Sequence, residues 1–480
     1  MTKHPTLTLL AILLLAAWLR LSGVVWDGYQ HYHPDERYIS WVATTIQWPA
    51  DWETALHPHQ STLNPFYWPT ADTTTRVSVP RGEARAYAYG HLPLYMGVAA
   101  TRLVEKMAPW AQTWLPAEGW LAAEFFNANG RSEFDHLTLI GRLLTGLVDV
   151  GTVAVAYWLG RQLYGTAVGL LTAALLASNV MHIQLAHFFT TDPYTTFFVM
   201  GSLAALVAAV QTRQKIWLIV AGGVVGLAIG SKFSAILLFV PLAVGVWLVV
   251  RRRWWLWLGL AGTAALFTFA LTNPFALLDA TCTAETPATT LLGVDIPVIN
   301  WRFCYLENVG AQRAMVAGGA AFPFTRQYEG TRPFLYLLEM QGRWGMGWPL
   351  LLVGLVGWGW QIGRLLSVWR TRPLTHLEEA ELVLLAWAVP YFLSTGNFYV
   401  KFMRYLQPIT PLLGAVGGMG GVAIAGQMAG GGRGRFTGQH RALCPRLPRY
   451  LRPTPPVAGR FPVVTRKRLA GSQNRLRTMG

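Results

Sequence analysis

Two adjacent carboxylates follow the first long apolar run of the chain. They are Asp35 and Glu36 in HYHPDERYIS (His31–Ser40), directly after Pro34. A third, Asp192 in HFFTTDPYTTFFVM (His187–Met200), stands at the mouth of another apolar run and is again followed by proline. Cations recur in matching settings. Lys401 and Arg404 lie three residues apart in NFYVKFMRYLQPITPLL, and Lys232 interrupts GLAIGSKFSAILLF between two otherwise uncharged runs. Charges this close to apolar segments are costly unless paired or functional. A carboxylate can take the proton of a hydroxyl acceptor, and cations at a lipid–water boundary can bind a lipid-linked phosphate and stabilise it as it leaves. The chemistry this pattern could perform is transfer of a group from a membrane-soluble phosphate carrier. Each residue also has a plainer reading. Acids in a first helical turn complement the helix dipole and its free N–H groups, and interfacial lysines and arginines reach back to water.

These residues must be positioned by membrane spans. The chain has 480 residues, 53% hydrophobic and only 13% charged, with 22 tryptophans, about half the charged fraction of a soluble domain. Apolar runs of spanning length recur near 6–25, 137–160, 167–185, 193–210, 216–230, 233–250, 254–272, 348–366, 381–393 and 405–427. The spacing predicts an all-α polytopic bundle of about ten to twelve helices. The first run resembles a signal peptide without a cleavage site and is read as an uncleaved span. Segment 92–108 is apolar but carries Arg102, Glu105 and Lys106, which leaves the crossings between 86 and 129 open. Basic residues at Arg161, Arg213 with Lys215, Arg251 to Arg253, and Arg364 with Arg370 and Arg372 alternate at every second connection. By the positive-inside preference these face the cytoplasm. The loops bearing Asp35, Glu36, Asp192, Lys232, Lys401 and Arg404 then face outward. Two outward loops are long, 27–89 and 273–346. In the first, PDERYISWVATTIQW reads as an amphipathic helix on the membrane surface.

The net charge of +16 is concentrated. Residues 431–480 hold 12 basic and no acidic groups, leaving 27 basic and 23 acidic, or +4, over the other 430. This Pro-, Gly- and Arg-rich stretch reads as a disordered cytoplasmic tail resting on anionic membrane lipids. No recognition fold accompanies it, so nucleic acid is not an expected partner. Cys282 and Cys304 share the second long loop and could pair, or stand as unrelated thiols. Cys444 lies in the tail.

The order of short motifs over residues 1–427 resembles the GT-C membrane glycosyltransferases, specifically the clan of phospholipid-carrier-dependent O-mannosyltransferases and aminoarabinose transferases. The matching pieces are HPDE (33–36), YGHLPLYM (89–96), GRLLTGLVDVGTVAVAYWLGRQLYG (141–165), TTDP (190–193), GLAIGSKFS (226–234), NPFALLD (273–279) and KFMRYLQPITP (401–411). STLNPF (61–66) with YGHLPLY is further similar to a prokaryotic multispanning subgroup of that clan. The resemblance implies a GT-C-like bundle on the cell membrane, a polyprenyl-phosphate-linked sugar as donor and a hydroxyl acceptor. It implies Asp35 as base with Glu36 its neighbour, Asp192 as a second acid, and Arg404 with Tyr405 near the carrier phosphate. His91 falls where the clan often has a His-Pro pair, although Leu92 intervenes here. Asp35, Glu36 and Asp192 are the acids that could hold a divalent cation, but no His/Asp spacing argues for a dedicated metal site. The competing readings are a lipid or ion transporter and a catalytically silent lipid-binding scaffold. The absence of internal repeats weighs against the first.

Overall fold

The structure, a computed structural model, describes residues 4–49, 51–58, 60–66, 85–116, 118–280, 289–291, 294–296, 302–319 and 322–415. The chain divides into two compact units, Met1–Ala429 and Gly430–Gly480. The expected tail, the end of the last span, Cys282 and Cys444 lie outside the described residues. Cys304 is disulfide-bonded.

Sixteen α-helices are described. They are α1 (Pro5–Leu21), α2 (Pro34–Ala43), α3 (Trp52–Leu56), α4 (His91–Gln112), α5 (Glu133–Tyr164), α6 (Thr166–Ala177), α7 (Val180–Ala186) and α8 (Thr191–Thr212). Then follow α9 (Ile216–Ser231), α10 (Phe239–Val250), α11 (Trp254–Thr272), α12 (Phe275–Leu278), α13 (Cys304–Val316), α14 (Leu335–Met340), α15 (Trp348–Trp369) and α16 (His376–Gly396). Tighter 3₁₀ turns at Phe233–Leu238 and Met403–Ile409 lead into α10 and the last helical segment, and β1 (Thr289–Leu291) pairs antiparallel with β2 (Val294–Ile296).

The expected spans up to 381–393 coincide with helices, 167–185 with a bent pair, and the last, 405–427, is described only as far as residue 415; the chain is a multi-pass membrane protein. Five helices, α5, α8, Phe233–Val250, α11 and α15, are each long and apolar enough to cross a membrane. The pair α6–α7, bent by 57°, makes a sixth if taken as one span, and α1 and α9 are shorter apolar helices. The bend has a local cause. Asn179 caps α7 by accepting from His182 N–H, while buried Arg20 donates to the last carbonyls of α6, Leu176 at 3.1 Å and Ala177 at 2.8 Å. Those carbonyls therefore do not continue the helical ladder.

Two ion clusters mark the two ends of the bundle. At one end Arg213, Arg251, Arg364 and Arg372 converge on glutamates of α16. That brings the α8–α9, α10–α11 and α15–α16 connections together. The other end carries α2, the start of α8 and the end of α9. Helix α4 occupies much of the region 86–129. It runs antiparallel to α5, since Gly97 and Gly141 both approach Phe189 while Arg102 reaches Glu133. Its second half projects past the start of α5, and α4 is not among the helices that are long and apolar enough to cross a membrane.

The core centres on α5, α8 and α9. A second buried cluster (Ile39, Val42, Phe66, Tyr87, Leu94, Phe189 and Tyr305 among them) lies under α2. Here the structure departs from the expected surface helix. Helix α2 ends at Ala43, and Ile39, Val42, Ala43 and Ile46 are fully buried. Glu36 and Ser40 on its flank bond to α5 through Arg142 and Thr138, so α2 seats on protein rather than along lipid.

Candidate active site

Helix α2 starts where its sequence dictates. His33 is the N-cap, Pro34 supplies the first helical φ, and Asp35 and Glu36 fill the first turn. Neighbours on a helix point about 100° apart, and the two acids accordingly part company. Glu36 is fully buried. It receives both arms of Arg142, Nε on Oε1 and Nη2 on Oε2 at 2.7 Å each, and Phe189 N–H donates to the same Oε1 at 2.8 Å. Asp35 turns the other way and meets Arg404 at 2.8 Å, its side chain still 20% exposed.

Arg404 is the hub. Its Nη2 holds Asp35, its Nη1 lies 3.1 Å from His33 Nε2, and its Nε stands 3.7 Å from Asp192 Oδ2. Asp192, in the first turn of α8, receives Lys232 Nζ on Oδ1 at 2.6 Å. Lys232 ends α9 in extended conformation, and its ammonium lies 5.3 Å from the centre of the Tyr405 ring, an aromatic face that attracts a cation. Burial alone would raise the Asp35 pKa, but Arg404, then His33 and Lys232, outweigh it, and Tyr89 adds a hydrogen bond; the carboxyl is held below its ordinary value. Burial and the Arg404 charge lower the His33 pKa. A neutral imidazole has a lone pair for the guanidinium N–H.

Asp35, Asp192, Lys232, Arg404 and Tyr405 thus gather in one cluster. Glu36 faces away from it. His91 is fully buried in an aromatic cage of Phe66, Tyr87, Tyr95 and Tyr305, with neither ring nitrogen bonded among the described residues. Its backbone N–H donates to Asn273 at 2.6 Å, which ties YGHLP to NPF. Lys401 donates to Thr331 Oγ1 and the Tyr399 carbonyl, both at 3.1 Å. It lines a cavity of about 580 Å³ walled by Val180, Gln184, Tyr328, Tyr336 and Trp344. Met403, next to Arg404, lines the same cavity. Sequence reasoning missed His33, Tyr89, Arg142 and Asp27. An arginine inside an apolar span was the available signal for Arg142.

Among the described residues one trio has ligand atoms close enough for a metal, Asp27, His31 and Glu36, all within 4.8 Å. The donor set does not fit a cation, because Arg142 already forks onto both carboxylates, at 2.7 and 2.9 Å on Asp27.

Comparison with known proteins agrees with this architecture. Residues 116–277 match the model of the dolichyl-phosphate-mannose-protein mannosyltransferase family. The matched segment contains Arg142, Asp192 and Lys232 but neither Asp35 nor Arg404. Among solved structures, the Archaeoglobus fulgidus oligosaccharyltransferase crystallised with zinc and sulfate aligns with a TM-score of 0.50 at 17% identity, over 88% of this chain and 51% of its own. The fold is GT-C. ArnT from Cupriavidus metallidurans, bound to undecaprenyl phosphate, aligns at 18% identity with a TM-score of 0.48, over 87% of this chain and 60% of its own. The A. fulgidus oligosaccharyltransferase AglB with an inhibitory peptide and a dolichol phosphate aligns at 13% identity and 0.48, over 90% and 52%. The chain therefore spans about half the length of the oligosaccharyltransferase. No curated protein sequence matches it.

Proposed function

We propose that this chain is a membrane glycosyltransferase. It moves a sugar from a polyprenyl-phosphate carrier to a hydroxyl acceptor at the end of the bundle that carries α2, the outward face by the distribution of basic loops. The observation that carries the reading is one guanidinium, Arg404, shared by Asp35 at 2.8 Å and Asp192 at 3.7 Å, beside an aromatic cavity whose cation is Lys401. The roles divide by contact. Asp35 takes the acceptor proton as its oxygen attacks the anomeric carbon. The bond from that carbon to the phosphate oxygen breaks with both electrons on the phosphate. Arg404, with Lys232 beside it, neutralises the charge that develops there. Asp192 holds both cations in place. Lys401 and the aromatic walls suit the carrier's charged head and its apolar chain.

The shared guanidinium gives this reading an on-switch. With Arg404 paired to Asp35, the carboxyl is a weak base. A carrier phosphate that draws Arg404 to itself removes the cation opposing burial and adds a negative charge nearby, and both raise the basicity of Asp35. The base becomes competent as the donor arrives.

The test is purified full chain in lipid nanodiscs with undecaprenyl-phosphate mannose and undecaprenyl-phosphate arabinose, and a delipidated cell-envelope fraction as acceptor. Release of undecaprenyl phosphate coupled to sugar transfer supports the reading. Movement of the carrier across the bilayer with the sugar still attached, or binding with no turnover of either donor, overturns it.

A further inference from the structure

We infer that Glu36 and Arg142 are positioning residues that set the spacing between Asp35 and Asp192. The inference rests on the proposed transferase reading for its kinetic consequence, but its geometric content is independent. Asp35 and Asp192 belong to segments 157 positions apart in sequence, and neither touches Arg142. The residue before Asp192's turn that matters is Phe189, three positions upstream in the α7–α8 connection. Its N–H donates to Glu36 Oε1 at 2.8 Å. One carboxylate therefore binds the two backbone segments together: Glu36 is covalently next to Asp35, and it holds the peptide that leads into Asp192.

Arg142 fixes that carboxylate to α5. Both Glu36 oxygens are taken by the fork at 2.7 Å, which dictates the plane of the carboxylate as well as its position. The guanidinium is itself oriented by Asp27 and the Val24 carbonyl, the latter at 2.8 Å. The other side of the Phe189 peptide is held without charge. A Cβ built on Gly97 of α4 or Gly141 of α5 would lie 2.4 or 2.3 Å from the Phe189 ring, so the ring fits because both positions lack a side chain. Main-chain hydrogen bond and ring together immobilise the entry to α8. A stabilising role alone explains this poorly, because buried ion pairs are often replaced by apolar residues at no net loss of stability. Fixed orientation is what the fork supplies and an apolar contact does not.

Two variants separate positioning from stability. Glu36→Gln keeps an acceptor for Phe189 N–H but loses the charge that grips Arg142. Asp27→Asn removes a charge from the same guanidinium but keeps one oxygen that accepts from it, leaves the Val24 carbonyl and Glu36 to hold the fork, and does not touch Phe189. Cryo-EM of Glu36→Gln in nanodiscs should show the Arg404–Asp35 contact lengthened beyond hydrogen-bond distance, with the same contact kept in Asp27→Asn. Kinetically, with undecaprenyl-phosphate mannose as donor, Glu36→Gln should lower kcat about 30- to 100-fold with donor KM within about threefold, since an ångström of misplacement costs on the order of 100-fold. Asp27→Asn, at equal or greater loss of Tm, should lower kcat less than about fivefold on the same scale. Gly141→Ala changes no charge; it should displace Phe189 and reproduce the kcat loss, and it carries the test if Glu36→Gln does not fold. An Arg404–Asp35 contact unchanged in both Glu36→Gln and Gly141→Ala overturns the inference, as does a kcat that simply tracks Tm across all three variants. A wild-type chain that turns over no lipid-linked sugar sinks the transferase reading alone, and the cryo-EM comparison still decides this one.

Discussion

The two ion clusters at opposite ends of the bundle use the same residue types to opposite effect. At the α16 end, Glu378 accepts from Arg372 at 2.7 and 2.9 Å, from Arg364 at 3.1 Å, and from the backbone and hydroxyl of Thr375 in a capping box. Glu381 adds Arg364 and Tyr164, and Glu379 adds Arg213. Arginines match or outnumber the acids, every carboxylate is buried, and the adjoining void between Tyr164, Gln361 and Leu385 is about 10 Å³. Each end holds one buried arginine Nε with no hydrogen-bond partner among the described residues, Arg364 at the α16 end and Arg404 at the α2 end. At the α2 end, however, Asp35 is part-exposed and the neighbouring cavity is about 580 Å³. A cluster whose carboxylates are all buried and saturated, with no room beside it, is a fastener. One whose carboxylate is part-exposed beside a cavity has bonding capacity left for a ligand, and it is there that a further charge can be received.

The largest effect should come from Asp35→Asn, which keeps shape and removes basicity. Turnover with undecaprenyl-phosphate mannose should fall about 10²- to 10⁴-fold, the contribution of a positioned base, while undecaprenyl-phosphate affinity by native mass spectrometry is retained. Near-normal turnover would leave Asp35 as a helix-capping acid and make the two clusters alike. Arg404→Gln comes next and adds a pH signature. Asp35's lowered pKa keeps it ionised even below its ordinary value, and the charge is lost only as pH falls through the lowered one. Removing Arg404 leaves burial less opposed, so the pKa rises and the acid limb of kcat/KM should move to higher pH. Carrier affinity should drop about 10- to 100-fold, the size of a lost charge-assisted contact. An unmoved acid limb would show that Arg404 does not govern Asp35.

The spans were legible because ten apolar runs need little context, and the motif order carried the GT-C resemblance that the fold bears out. The cluster residues were legible as well, since unpaired charges beside apolar runs stand out in sequence. What sequence could not supply was the direction of each side chain. Asp35 and Glu36 are chemically near-identical neighbours, and only the turn of α2 sends one to Arg404 and the other to Arg142. The surface-helix expectation failed for a related reason: Tyr38 and Trp41 suit a membrane interface or an aromatic core equally, and Glu36 and Ser40, bonded to α5, decide between them. His91, singled out as a substrate-binding candidate by motif position, sits in an aromatic cage. The rotation of α4 against Phe66 and Tyr305 that puts it there has no local signature.

Lys401 offers a finer distinction within the α2 end. Its donors go only to a hydroxyl and a carbonyl, and it ion-pairs with no carboxylate among the described residues, whereas Lys232 is committed to Asp192. Lys401→Met should therefore weaken undecaprenyl-phosphate binding about threefold to tenfold, the range of a part-buried charge on an anion, with kcat nearly constant and no shift of the acid limb. Unchanged affinity would remove the cavity from the carrier's path.

Glu378→Gln should have the smallest effect on catalysis. The substitution leaves the part-exposed Arg364 and the exposed Arg372 facing a neutral amide whose N–H₂ cannot accept from either, so charge-assisted bonds are lost and unfolding should become easier by about 1–3 kcal/mol. That loss is read as a fall in Tm in nanodiscs. Turnover measured below the new Tm should nevertheless stay within about threefold of wild type, as expected where a change leaves the reacting geometry intact. The reason is distance and rigidity: α8 and α16 run the length of the bundle between the two ends, and a local loosening of one helix start need not move Asp192 at the other. A drop in kcat as large as that of Arg404→Gln, at a temperature where the variant is folded, would mean that the α16 cluster is mechanically coupled to Asp192 through α8, which Arg213 joins to Glu379. The saturated end would then be part of the working device instead of its fastening.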